Sequence, residues 1–198
     1  MKISSSEKKL NNKGFSLMEL IVVLAIMIVM VGAATVTVSM LDSSYVEDAE
    51  RGIKDYIALA RTKSMSVAAK DWYVSISKED ADYYVSLYKI VEKEVEDAGV
   101  VTSITEEYLV EKKKLGAKIS ISYGSKVDED DEAITWSDIS NGDKVNLHFD
   151  PATGKVNSVF HNVASVSVSS GIGYINITRN DYKINLKVFY NTGKCERE

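Results

Sequence analysis

A chain of 198 residues that is 45% hydrophobic, 9% aromatic and 27% charged has the make-up of one ordinary globular domain, and a collagen-like, disordered or multi-domain chain is a poor fit. Its one Cys excludes an internal disulfide framework and a Cys-rich zinc site, and one Pro with 11 Gly leaves little flexible linker. A net charge of -5 argues against a partner held by phosphate neutralisation, so no nucleic acid is expected. Along the chain, residues 1–14 come first and are basic: Lys2, Lys8, Lys9 and Lys13 against Glu7, a net +3 that leaves -8 for the remainder. From Leu20 to Leu41 the 22 residues LIVVLAIMIVMVGAATVTVSML carry no charge. As a helix they span roughly 33 Å, matching a hydrocarbon core of about 30 Å. Lysines before the run and Asp42, Glu47, Asp48 and Glu50 after it predict a cytoplasmic N-terminus and an extracytoplasmic body.

A secretory signal peptide also starts basic and turns apolar. Its apolar core runs only about 7–15 residues and ends at a small-x-small cleavage site, whereas this run continues. Glu19, at the front of the run, is costly in a lipid-facing helix and so marks either the headgroup level beside the lysines or a function.

The stretch Lys13-Gly14-Phe15-Ser16-Leu17-Met18-Glu19, followed by the apolar run, resembles the class III leader junction of type IV pilins and of the pseudopilins of type II secretion and competence systems. The resemblance implies a leader of residues 1–14, cleavage by prepilin peptidase between Gly14 and Phe15, and N-methylation of Phe15. It implies a structural subunit, first membrane-held and then part of a surface filament. Its partners would be other pilin or pseudopilin subunits, the peptidase, an inner-membrane assembly platform and membrane lipid. Glu19 then gains an assembly role. When apolar helices leave the bilayer and pack together, the charged amino group of Phe15 is buried, and a carboxylate from a neighbouring subunit neutralises it. A buried charge that loses its partner costs about 3–5 kcal/mol. Gly32, Ala33 and Ala34 would let such helices approach closely. The alternative is an uncleaved single-span protein that exposes a β-rich binding domain.

Beyond Leu41, Tyr45, Val46, Ala49, Ile53, Tyr56, Ile57, Ala60, Ser64, Val67 and Ala68 recur at spacings of three and four among charged residues. The spacing predicts one helix from Phe15 to about Ala69, membrane-spanning or filament-forming over residues 15–41 and amphipathic over 42–70, with the 46/49/53/56/57/60 stripe laid on a sheet. From residue 71 to 198 the period becomes two. Residues 72–77 and 82–91 read as a hairpin around Lys78–Ala81, 115–123 as a strand, 145–160 as two strands around Asp150–Gly154, and 173–189 as a hairpin with Arg179–Asp181 at its tip. The expectation is α+β: a long N-terminal helix packed on an antiparallel sheet of six or seven strands. The 145–160 pair and the last hairpin are similar to the C-terminal part of GspH/FimT-type minor pseudopilins. Two features depart from better-known pilins. One Cys cannot close a C-terminal disulfide loop, and no Pro interrupts the apolar helix.

For chemistry the body offers little. His148 and His161 have no accompanying nucleophile, metal or nucleotide motif, so no enzyme is expected, and both read as solvated residues on or at the end of a strand. Cys195 reads as a surface thiol. Asp128-Glu129-Asp130-Asp131-Glu132 is a run of hard oxygen donors, and some major pseudopilins bind calcium in a loop of this part of the fold, so Asp128, Asp130 and Asp131 are calcium candidates. The run lacks EF-hand spacing and its turn Gly, which favours a solvated loop and no resident cofactor. Lys112-Lys113-Lys114 is balanced in sequence by Glu106, Glu107 and Glu111.

Overall fold

Ser16 caps a helix. Its Oγ accepts from the Met18 amide at 3.3 Å, and its carbonyl accepts from Glu19 and Leu20 at 2.9 and 3.1 Å. The structure, a computed structural model, describes residues 16–66, 71–97, 100–126, 134–161, 164–167 and 171–198. The chain divides into two compact units, Met1–Met40 and Leu41–Glu198, and helix α1 (Leu17–Ser66) contributes to both. The described helix thus falls within the stretch predicted from Phe15 to Ala69, and residues 67–69 of that stretch lie outside the described residues.

In the second unit, Val46, Ala49, Ile53, Tyr56, Ile57 and Ala60 are buried. Arg51, Asp55 and Ala58 are exposed, so the spacing of three and four separates two helix faces as the sequence pattern requires. The strands that follow are β1 (Trp72–Glu79), β2 (Asp82–Asp97), β3 (Val100–Lys114), β4 (Ser120–Lys126), β5 (Thr135–Asp138), β6 (Lys144–Phe149), β7 (Val156–His161), β8 (Ala164–Ser167), β9 (Ile172–Arg179), β10 (Tyr182–Phe189) and β11 (Lys194–Arg197). They form two sheets, ordered β3-β2-β1-β6-β7-β8 and β11-β10-β9-β4-β5, with every pairing antiparallel. The architecture is α+β, a helix packed on antiparallel sheets.

One core joins helix and sheets. In the first sheet Val74 lies between Leu87 and Leu147, and Ile76 between Val85 and Val145. In the second, Ile121 and Ile184 flank Ile177, and Tyr123 and Leu186 flank Ile175. These side chains and the helix stripe belong to a single buried cluster. Each fully buried aliphatic contributes about 1.5–3 kcal/mol relative to exposure. A polar clip crosses between the sheets, Tyr83 Oη of β2 donating to the carbonyl of Ile139 after β5 at 2.9 Å, and within the second sheet the hydroxyls of Tyr123 and Tyr190 share a hydrogen bond.

The turns follow local chemistry. The two-residue hairpin loops Asp80-Ala81 and Asn180-Asp181 place Asp80 and Asn180 at φ 54° and 50°, a left-handed region that Asp and Asn tolerate. Asp150 Oδ1 accepts from the amides of Ala152 and Thr153 and the Thr153 hydroxyl, at 3.0, 2.7 and 2.7 Å, and these bonds hold its carboxyl below the usual range, the Thr153 hydroxyl most. Gly154 follows at φ 68°, where a Cβ would strike the Met65 sulfur of α1. Gly193, at φ 64°, has its Cα against the Gly154 carbonyl, so these two glycines let the 150s and 190s turns meet beside Arg61.

The structure corrects several expectations. There are eleven described strands in two sheets, where six or seven in one were expected. β2 runs on to Asp97 and β3 fills 100–114, a stretch that shows no period of two because much of it is wet on both faces. The 115–123 segment becomes a strand only at Ser120; before it, Leu115 and Ile119 are buried around a turn with Lys118 at φ 54°. Lys112, Lys113 and Lys114 pair with Glu79, Asp48 and Asp82 at 2.6, 3.6 and 2.5 Å, not with their neighbours in sequence.

Candidate functional site

The first unit presents an apolar cylinder. From Leu17 to Val31, thirteen Leu, Ile, Val and Met side chains are exposed, between 45% for Val23 and 78% for Leu17, and they point in every direction round the helix. Burying each contributes about 1.5–3 kcal/mol, so covering even part of this surface amounts to tens of kcal/mol. A surface of this kind marks a membrane or a protein partner. Gly32 adds a position where a Cβ would meet open space. Among the described residues no helix is long and apolar enough to cross a membrane. In sequence the uncharged run continues to Leu41, and beyond Ala33 the described side chains are those of Met40 and Leu41, both exposed.

Glu19 sits in the first turn of α1, exposed, with Ser16 three residues before it. That is the spacing of a capping box, and a carboxylate there interacts favourably with the positive end of the helix dipole by about 0.3–1 kcal/mol. The sequence reading missed this local role, although Ser-x-x-Glu is legible in it. Gly14 and Phe15 lie outside the described residues, as do Asp128, Asp130 and Asp131. Among the described residues no cluster of His, Cys, Asp and Glu has the arrangement to hold a metal ion.

Where the second unit begins, Asp42 is gripped by the tip of the β9–β10 hairpin. Arg179 Nε and Asn180 Nδ2 donate to its two carboxylate oxygens at 2.5 and 2.6 Å, Arg179 also donates to the Ala117 carbonyl, and the guanidinium lies 4.1 Å from the Tyr45 ring centre. The Asn180 hydrogen bond, with the adjacent Arg179, holds the Asp42 carboxyl below its ordinary range. Further along α1, Glu47 accepts from Tyr182 and Glu50 from Arg197. Four polar contacts thus fasten this helix to both sheets: Asp42–Arg179, Glu47–Tyr182 and Glu50–Arg197 to the second, Asp48–Lys113 to the first.

Two residues read as solvent-facing are not. His148 stacks on Tyr73, ring centres 4.5 Å apart, while Tyr73 stacks on Tyr88 at 4.8 Å and Phe160 closes the other side of His148 at 4.8 Å. This row crosses β2, β1, β6 and β7 on the face of the first sheet away from the core, and the desolvation it imposes pushes the imidazole pKa down. Tyr73 Oη donates to Glu107 at 2.8 Å, and burial with that carboxylate pushes the phenol pKa far up. Cys195 packs against the core cluster, and burial raises its thiol to about 12, which leaves it a poor nucleophile. It borders a pocket of about 290 Å³ between α1 and β11, with Lys54, Asp55, Arg61, Lys194 and Glu196. His161 ends β7.

Residues 9–35 match the family model of the prokaryotic N-terminal methylation motif, well short of half the chain. No curated protein and no solved structure matches the chain. The matched span brackets the Gly14-Phe15 junction, the Ser16 cap, Glu19 and the exposed apolar helix, and it is a type IV pilin-like signal. Such a signal implies a type IV pilin-like precursor that prepilin peptidase processes, with pilin subunits as its general partners, and it points to a structural role in place of an enzymatic one.

Proposed function

We propose that this chain is a structural subunit of a type IV pilus or of a type II secretion or competence pseudopilus. It is cut after Gly14, N-methylated on Phe15, held in the membrane with its β body outside, and then drawn into a filament whose core is the apolar helix. The observation that carries the reading is the junction of a methylation motif with an apolar helix exposed on all sides. Bilayer and filament core are both dry environments, so one surface serves the subunit before and after extraction. Glu19, one turn from the new terminus, is near enough in sequence to serve as counter-charge for the amino group of a neighbouring Phe15. The likeness of the 145–160 and C-terminal hairpins to GspH/FimT-type proteins favours a minor subunit.

The test is the intact mass and N-terminal residue of the protein from native membranes, with and without the peptidase. N-methylated Phe15 is expected; an uncut Met1 or a terminus beyond Leu41 overturns the proposal in favour of an anchored or secreted binding domain. Glu19→Ala should leave cleavage intact and abolish recovery of sheared filaments. Normal filaments from that variant would remove Glu19 from assembly, leaving only its contribution to the helix cap.

A further inference from the structure

β3 is the exceptional edge of the body. Among the described residues the sheet edges are β5, β8 and β11, of four residues each, and β3, of 15, paired on one side with β2. Short strands are a common way of blunting an edge against association, and β3 lacks that protection. The register of β1 with β2 ends at Trp72↔Lys89, yet β2 and β3 stay paired from Ile90↔Glu107 out to Asp97↔Val100. This outer part is a two-stranded ribbon with Val95 and Ile104 exposed, and Tyr108, Leu109 and Val110 are exposed at its root, beside the bulge opposite Leu87 and Tyr88.

We propose that the β3 edge pairs antiparallel with the β3 edge of a second copy of this chain, about a two-fold axis at Thr105. In an antiparallel ladder, directly opposed residues are of one hydrogen-bonding kind, and the kinds alternate along a strand. A strand pairing with itself must therefore centre on a residue, not between two. Centring on Glu106 sets Glu106 against itself, a destabilising like-charge pair, and centring on Ile104 carries Leu109 and Val110 past Val100, the first residue of β3, with no strand residue opposite them. Centring on Thr105 sets Val101 against Leu109, Thr102 against Tyr108, Ser103 against Glu107 and Ile104 against Glu106. Apolar then meets apolar at the ends, a β-branched residue meets an aromatic one, and no carboxylate faces another.

Charge along the strand selects the same direction. The outer end of β2 carries Glu92, Glu94, Glu96 and Asp97, whereas the base of β3 carries Lys112, Lys113 and Lys114, each with an acid of its own chain. In the proposed register the two copies of Asp97, each level with Val100, lie about ten residues apart, roughly 34 Å at strand spacing, while the two copies of Glu92, each level with Thr105, are separated by three strand spacings, roughly 14 Å. Both separations exceed a Debye length of about 8 Å at physiological salt. A parallel alignment would set the tips side by side. The contact is two-fold and closed, so it does not itself propagate a filament, and it stands apart from the filament reading.

The experiment uses the full chain in detergent micelles, with Cys195→Ser as background and one new cysteine. Thr105→Cys is expected to oxidise to a disulfide dimer at least about ten times more than Ser103→Cys, whose two copies would sit about 14 Å apart along the strand, past the reach of about 7 Å between bridged Cα atoms. A mixture of Ser103→Cys and Glu107→Cys chains is expected to give the mixed dimer. Nitroxides on the same thiols supply a second readout, because a disulfide needs Cβ atoms about 3.8 Å apart, closer than many cross-strand pairs. A shorter inter-spin distance at 105 than at 103 supports the register. No difference between the two positions in either measurement overturns it, including the case where the copies associate only through their apolar helices.

Discussion

Two stretches of one helix, residues 17–33 and 46–60, are built largely from the same aliphatic side chains and meet opposite surroundings. In the first the apolar residues encircle the axis and stay exposed; in the second they are confined to one stripe and vanish beneath two sheets. Apolar content decides that a surface must be covered, while its periodicity decides by what. A stripe with charged flanks seats a helix in its own domain, whereas an unbroken apolar circumference leaves it to a bilayer or to other copies.

The comparison can be broken by equivalent substitutions in the two stretches. Ile53→Ala, at a fully buried position, should lower the stability of the body by about 2–5 kcal/mol, whereas Ile28→Ala should change it by less than about 0.5 kcal/mol. Urea unfolding of the full chain in detergent, followed by the fluorescence of buried Trp72, measures both. Equal losses would mean that the first stretch belongs to the body's core.

A smaller effect sharpens the boundary between the two stretches. Arg179→Ala removes the cation from Asp42 and should lower the melting temperature by several degrees. The folded-state pKa of Asp42 lies below its ordinary value of 3.8, so its contribution is complete above that value and is lost as pH falls through the lower folded one. The parent chain should therefore lose stability more steeply below about pH 4 than the variant. Parallel curves would show that Arg179 adds nothing to the lowered Asp42 carboxyl beyond the Asn180 hydrogen bond.

The smallest effect concerns His148. Its folded pKa is depressed by burial, against the opposing fields of Glu107 and Asp71, so the unfolded chain takes up the proton first. Stability should be complete above about pH 6.5 and fall as pH drops through the depressed folded value, and His148→Phe should flatten that slope. An unchanged slope in melting curves between pH 7 and pH 5 would show the ring to be solvated after all.

What could be read in advance was whatever leaves a local mark. The helix stripe shows in its spacing, and the hairpins at Asp150–Gly154 and Asn180-Asp181 show in residues that accept tight turns. β1 was legible at 72–77, but not that both of its faces are covered, Val74 and Ile76 by the core and Tyr73 by His148 and Tyr88. The outer half of β2 and much of β3 hide their alternation because neither face is covered. The division into two sheets depends on β1 meeting β6 and β4 meeting β9, pairings between segments distant in sequence that no local pattern announces. Of the candidate site, the junction motif and the apolar run were legible and the Ser16 cap was visible but given another meaning. The environments of His148 and Cys195 were not legible, since residues far along the chain create them.

The pairing of β4 with β9 also sets a schedule for synthesis. β4 ends at Lys126, but its neighbour begins at Ile172, and the core waits for Ile184, Leu186, Val188 and Tyr190. Asp42 waits longer than any of these core strands, for an arginine 137 positions later. A nascent chain of 170 residues can therefore form the first sheet's hairpins but cannot close the body. Closure of the body is held back until the β9–β10 hairpin has been made, and a chain stopped before Ile172 keeps β4 unpaired on its β9 side and the helix stripe without the second sheet's central strands.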